Sequence, residues 1–167
     1  MKNVILFILI AAITLLSMGC ARTTDSSADT VTFYYVHNKP AYGTTSGVIA
    51  PNLVEINQHE YNYHELLTKY FNGPTNYDCV SPFPAGIMLE DLYVNDNKAQ
   101  LVLSPHMATI SGSDLTVALA CLTRTVIEMT NVNTVQIKIS GNQINGEDSV
   151  TFTLNSFSQY DEVEPIS

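Results

Sequence analysis

Three observations predict one α/β domain, α+β in class, with two amphipathic helices packed on one face of a mixed β-sheet. Short segments rich in β-branched and aromatic residues alternate apolar with polar positions. Two longer segments repeat apolar residues at helical spacing. Between them lie Gly, Pro and Asn turn signals, giving the order β-β-α-β-β-α-β-β. A helix with one apolar stripe must cover something, and a single sheet face serves two such helices in two layers.

The first strand is read from Val31, Phe33 and Tyr35, which alternate with Thr32, Tyr34 and Val36. A loop with Pro40, Gly43, Gly47 and Pro51 follows, then a short strand at Leu53, Val54 and Ile56. The first helix is expected from Glu60 to Phe71, with Tyr63, Leu66, Leu67, Tyr70 and Phe71 on one stripe. Asn57 can cap it, with Glu60 three residues on. Asn72-Gly73-Pro74 stops it, because Gly accepts the left-handed cap and Pro cannot continue a helix.

An irregular link over residues 75–86 leads to a hairpin, Leu89 to Val94 and Ala99 to Leu103 around Asn95-Asp96-Asn97. Ser111-Gly-Ser-Asp114 has the Ser-x-x-acid pattern of a helix start, and the second helix runs to about Thr130. Leu115, Ala118, Leu119, Leu122, Val126 and Met129 share its apolar face, with Arg124 and Glu128 paired on the wet side. Val135, Ile137 and Ile139 mark the next strand; Val150, Phe152 and Leu154 mark a last edge strand.

The N-terminus is an address. Lys2 precedes an uncharged run from Val4 to Leu16, the length of a signal-peptide core and short for a bilayer span. Gly19-Cys20 after that run resembles a lipobox, with Leu16 one place further back than in the commonest pattern. Cys20 is therefore the expected site of lipid attachment, and two acyl chains on one residue anchor stably. The organisation read from this is a lipoprotein signal peptide at 1–19, a lipidated tether at 20–30, a folded domain at 31–157 and a polar acidic tail at 158–167.

The charge is −9, from 16 acidic against 7 basic residues. Such a field repels phosphate backbones, so no nucleic acid partner is expected.

The order and spacing of several segments carry a resemblance. Val31-Thr-Phe-Tyr-Tyr-Val36 opens the domain, and Leu66-Leu-Thr-Lys-Tyr-Phe-Asn-Gly-Pro74 ends the first helix. Ser81-Pro-Phe-Pro-Ala-Gly86 leads into the hairpin, which closes on Ala99-Gln-Leu-Val-Leu-Ser104. Ala118-Leu-Ala-Cys-Leu-Thr-Arg-Thr-Val-Ile-Glu-Met129 then runs into Asn133-Thr-Val-Gln-Ile-Lys-Ile-Ser-Gly141. The chain resembles the GerMN domain family, which includes lipoproteins of sporulation and spore germination in Gram-positive bacteria. The resemblance covers about residues 31–155. It implies a fold like the ring-building modules of secretion-like assemblies, a role in joining envelope complexes, and no catalytic constellation. This chain carries one such domain where the germination protein has two.

His59-Glu-Tyr-Asn-Tyr-His64 is one residue too long for a zinc-protease motif; an i, i+5 pair lies about 140° apart on a helix. No metal site is expected there, and His37 and His106 are read as single loop residues. No Gly-x-Ser-x-Gly elbow, phosphate loop or dinucleotide fingerprint is present, so no catalytic residues and no cofactors are assigned. Cys79 and Cys121 can form a disulfide outside the membrane, worth about a few kcal/mol, or stay two separate buried thiols. Tyr61, off the helix stripe, is a contact candidate.

The expected function is a non-catalytic assembly module, held by its lipid at the outer face of the cytoplasmic membrane of a Gram-positive envelope. Its expected partners are envelope or sporulation membrane proteins, the membrane itself through Cys20, and a homo-oligomer. The contending readings are an accessory protein or enzyme of peptidoglycan remodelling and an extracellular small-ligand sensor.

Overall fold

The computed structural model describes residues 29–38, 47–56 and 62–160, with side chains from 30 to 157 within those ranges. The expected signal peptide, Cys20, Asn57, His59, Glu60, Tyr61 and residues 161–167 lie outside the described residues.

Strand β1 (Asp29–His37) pairs antiparallel with β2 (Ile49–Ile56) in unbroken register, Thr32 opposite Leu53 and Phe33 opposite Asn52. Helix α1 (Tyr63–Phe71) follows, then the two-residue β3 (Cys79–Val80), which pairs with His37 and Val36 of β1. The hairpin β4 (Leu89–Asn95) and β5 (Lys98–Leu103) turns on Asp96-Asn97, where the Asn95 side chain accepts from the Lys98 amide at 3.1 Å. Helix α2 (Gly112–Thr130) then crosses over to β6 (Thr134–Ile139), which lies parallel to β5. Strand β7 (Val150–Phe152) closes that sheet antiparallel to β6.

The class is the α+β of the sequence reading, but the strands divide between two sheets, β2-β1-β3 and β4-β5-β6-β7. The reason lies along β1. At Tyr34, just beyond the two residues paired with β3, helical side chains stand where a neighbouring strand would. Thr125 Oγ1 in α2 accepts from the Tyr34 amide at 2.9 Å, and the Tyr70 hydroxyl in α1 donates to the Tyr34 carbonyl at 2.7 Å. Pro51, which has no N–H, stands opposite Tyr34, whose own amide and carbonyl point the other way. The proline therefore costs no ladder bond.

Helix α2 is more enclosed than a single stripe predicts. Ala120, Cys121, Thr123, Thr125 and Ile127 are buried along with Leu115, Ala118, Leu119, Leu122 and Val126. Burial on more than one side comes from its several neighbours: α2 lies against β1, β5, β6 and the C-terminal turn Leu154–Tyr160. The pair expected on its wet side is instead built around a tyrosine: Arg124 lies 4.5 Å over the Tyr34 ring, and Glu128 accepts from the Tyr34 hydroxyl. Ser111 is the N-cap, but its side chain makes no cap bond, so the Ser-x-x-acid pattern forms no capping box. Asp114 still places a carboxylate at the positive end of the helix.

Helix α1 is capped by Asn62, whose side chain accepts from the Glu65 amide at 2.9 Å while Glu65 reaches back to the Asn62 amide at 3.2 Å. Leu66, Leu67 and Tyr70 are buried; Tyr63, expected on the same stripe, is exposed. Gly73, at φ +98, takes the left-handed position after the helix as expected. The last strand stops at Phe152, because the Thr153 amide donates to Ser156 Oγ at 3.0 Å and starts a tight turn. That turn returns Phe157 to Phe152, ring centroids 4.8 Å apart, and leaves Leu154 exposed.

Candidate functional site

The two cysteines sit at the centre of the aromatic core. Cys79 opens β3 beside His37, and Cys121 is fully buried midway along α2. Both are free thiols, close enough to Tyr35 that each raises its pKa. Burial pushes the Cys121 thiol up to about 12, and burial with the neighbouring Asp78 carboxylate raises Cys79. The thiolate is the nucleophilic form, and both shifts favour the thiol. Tyr70 joins the cluster: its ring lies 5.2 Å from Phe33 and 4.9 Å from Tyr35, and burial drives its hydroxyl pKa well up.

His64 is exposed on the first turn of α1. His37 is the last residue of β1 rather than a loop residue, and its Nε2 is buried without a hydrogen-bond partner. His106 lies in the 3-10 turn Pro105–Thr109, its Nδ1 3.4 Å from Ser104 Oγ. That contact resembles a nucleophile and base only in outline. Ser104 is buried and accepts from the Met88 amide at 3.0 Å, so its hydroxyl clips the link before β4 onto the end of β5. Gly86 makes the clip close: at φ +81, a Cβ there would meet the His106 ring at 3.3 Å. Among the described residues, no group of three or more His, Cys, Asp or Glu is placed to hold a metal. None of their helices is long and apolar enough to cross a membrane.

Among the described residues, a cleft of about 520 Å³ lies between the start of β1, the end of β2, the first turn of α1 and the last turn of α2. Val31, Ile56, Leu66 and Met129 give it apolar walls. Thr30, Thr32 and Asn62 bring polar groups, and Glu128 is the one acidic residue among the described lining residues. Glu128 is held there by the Tyr34 hydroxyl, whose own pKa is raised by burial and then by that carboxylate. Sequence reasoning missed this cleft. Its parts come from three segments, and its only local signal was an acidic residue one turn after Arg124.

Two solved structures share the fold. The tandem GerMN domains of the sporulation protein GerM from Bacillus subtilis match with a TM-score of 0.57 at 19% identity, over 78% of this chain and 47% of that one. This chain thus spans about half of the two-domain protein. The first GerMN domain of the same protein matches with a TM-score of 0.52 at 11% identity, over 70% of this chain and 86% of that one. No curated protein sequence matches this chain. The family model described as Germane, sporulation and spore germination, matches residues 32–145, about two thirds of the 167 residues, and the chain belongs to that family.

Proposed function

We propose that this chain is a lipid-anchored assembly module of the Gram-positive envelope, acting without catalysis in sporulation or spore germination. The observation that carries the reading is the family match across nearly all of the described fold. Two features are in keeping with it. The buried cysteines are held as thiols, and Ser104 is spent on a structural clip. Exposed Leu53, Tyr77, Met88 and Tyr93 give the surface apolar contact points at several places.

In this reading Cys20 carries the lipid, the chain between it and β1 is the tether, and the domain stands just outside the cytoplasmic membrane. Its partners are other envelope or sporulation membrane proteins, further copies of itself included. The test is cross-linking of the full-length lipidated protein in growing and in spore-forming cells. Recovery of membrane proteins of the engulfed forespore, in spore-forming cells alone, supports the reading. Recovery of wall enzymes or peptidoglycan fragments in growing cells overturns the sporulation role and favours wall remodelling. Loss of the membrane fraction in Cys20→Ala, with the chain still exported, supports the anchor; unchanged fractionation overturns it.

A further inference from the structure

An antiparallel strand alternates between residues whose amide and carbonyl both face its partner and residues whose groups both face away. In β1 the phase is set by four bonds. The Tyr34 amide and carbonyl go to Thr125 and Tyr70, the His37 amide goes across to the Val48 carbonyl, and the Asn38 amide goes to Asp78. Odd residues therefore face β2 and even residues face away. The register from Asp29 to Val36 has no bulge, so the phase holds back to Thr32 and Thr30. Their backbone groups point away from β2, toward the cleft that both residues line.

This side of β1 already accepts a strand at one end, where β3 pairs with Val36. Helical side chains close it at Tyr34. At Thr32 and Thr30 no such closure is present among the described residues.

We propose that the cleft beside Thr30 and Thr32 is a docking site for an extended segment of a partner protein, added as a strand to β1 and carrying a lysine or arginine opposite Glu128. Strand addition supplies main-chain hydrogen bonds, and pockets for alternate side chains supply selectivity. Both parts are here. Donors and acceptors two residues apart, about 7 Å, match a peptide backbone. The apolar walls at Ile56, Leu66 and Met129 suit its side chains. Glu128 sets the charge; Arg124, the nearest cation on its helix, lies over the Tyr34 ring and outside the lining. The volume falls in the usual range of about 300–1,000 Å³ for a ligand site.

The site deepens the assembly reading, but its test reads one cleft. In-cell cross-links can survive its failure, and it can bind peptide in a protein with no sporulation role. The full-length protein, 15N-labelled in detergent micelles, is titrated with the capped peptides Thr-Val-Lys-Val-Thr and Thr-Val-Glu-Val-Thr. The lysine peptide is expected to shift the Thr30 and Thr32 amides saturably and to bind about tenfold tighter, the order of one hydrogen bond to a charged group. Glu128→Gln keeps an acceptor for Tyr34 and is expected to erase that preference. Thr32→Pro removes an amide that faces the cleft and is expected to weaken both peptides. Equal affinity of the two peptides for the native chain, no saturable shift, shifts centred elsewhere, or unchanged binding by Thr32→Pro would each overturn the proposal. So would Thr30 and Thr32 amides as slow to exchange in the peptide-free protein as those of Phe33 and Tyr35, since the edge would then already be taken.

Discussion

Two tyrosine hydroxyls in the core look alike and should differ in worth. The Tyr70 hydroxyl donates to the Tyr34 carbonyl at 2.7 Å, and the Tyr35 hydroxyl donates to the Tyr70 carbonyl at 2.8 Å. Both residues are fully buried. Their acceptors are not equivalent. The Tyr70 carbonyl, at the end of α1, also accepts from the Gly73 amide at 3.1 Å. The Tyr34 carbonyl faces away from β2 and has the Tyr70 hydroxyl as its donor. Tyr35→Phe thus removes one of two bonds to an acceptor, about 0.5–1.5 kcal/mol. Tyr70→Phe leaves a buried carbonyl unpaired, about 1–3 kcal/mol. At about 2–4 °C per kcal/mol for a chain of this size, Tyr70→Phe should lower Tm by roughly 4–8 °C and Tyr35→Phe by about half of that. Urea unfolding followed by circular dichroism, with a common m-value, gives the same ranking as a free energy. If Tyr35→Phe costs as much as Tyr70→Phe, the claim that helical side chains close the edge of β1 is wrong.

Alkaline stability follows from the buried thiol and phenols. Their folded pKa values are raised, so between the unfolded and folded values the native state holds more protons, and stability falls as pH rises. For Cys121, ordinary value 9.0 and pushed up to about 12, the fall begins near pH 9; for Tyr35 and Tyr70 it begins near pH 10. Urea midpoints in reductant should be flat from pH 7 to about 8.5 and drop above pH 9, and Cys121→Ala should delay the onset; a flat profile to pH 11 refutes this. Gly86→Ala should cost about 1–2 kcal/mol, from φ +81 and the 3.3 Å approach to His106. His106→Ala in the same chain should recover only part of that in thermal melts, and full recovery would put the whole cost on the ring contact. A thiol titration without reductant should find Cys79 and Cys121 both free and reactive only after unfolding; their absence from the denatured count would establish a bridge.

The strands were the most legible part. In β5 and β6, Ala99, Leu101, Leu103 and Val135, Ile137, Ile139 alternate inward as the sequence spacing predicts. The start of α1 was ambiguous because two overlapping caps are written there: Asn57 with Glu60, and Asn62 with Glu65. The described residues show the second. The division into two sheets had no local signal. It turns on Thr125, a hydroxyl in mid-helix, meeting an amide 91 residues away. Nothing in a helical window marks Thr125 as the residue that ends a sheet. Two-residue β3 is likewise too short for any periodicity to show.

The same 91-residue separation bears on how the chain matures. Strand β1 leaves the ribosome early, yet the hydroxyl that receives its Tyr34 amide lies in α2. At about 5–20 residues per second, Thr125 is made roughly 5–18 seconds later. Until then β1 is a strand of Val, Phe and Tyr with an uncovered side, the kind of edge that pairs with whatever is near. Over that interval the edge has to be covered by something other than its own chain.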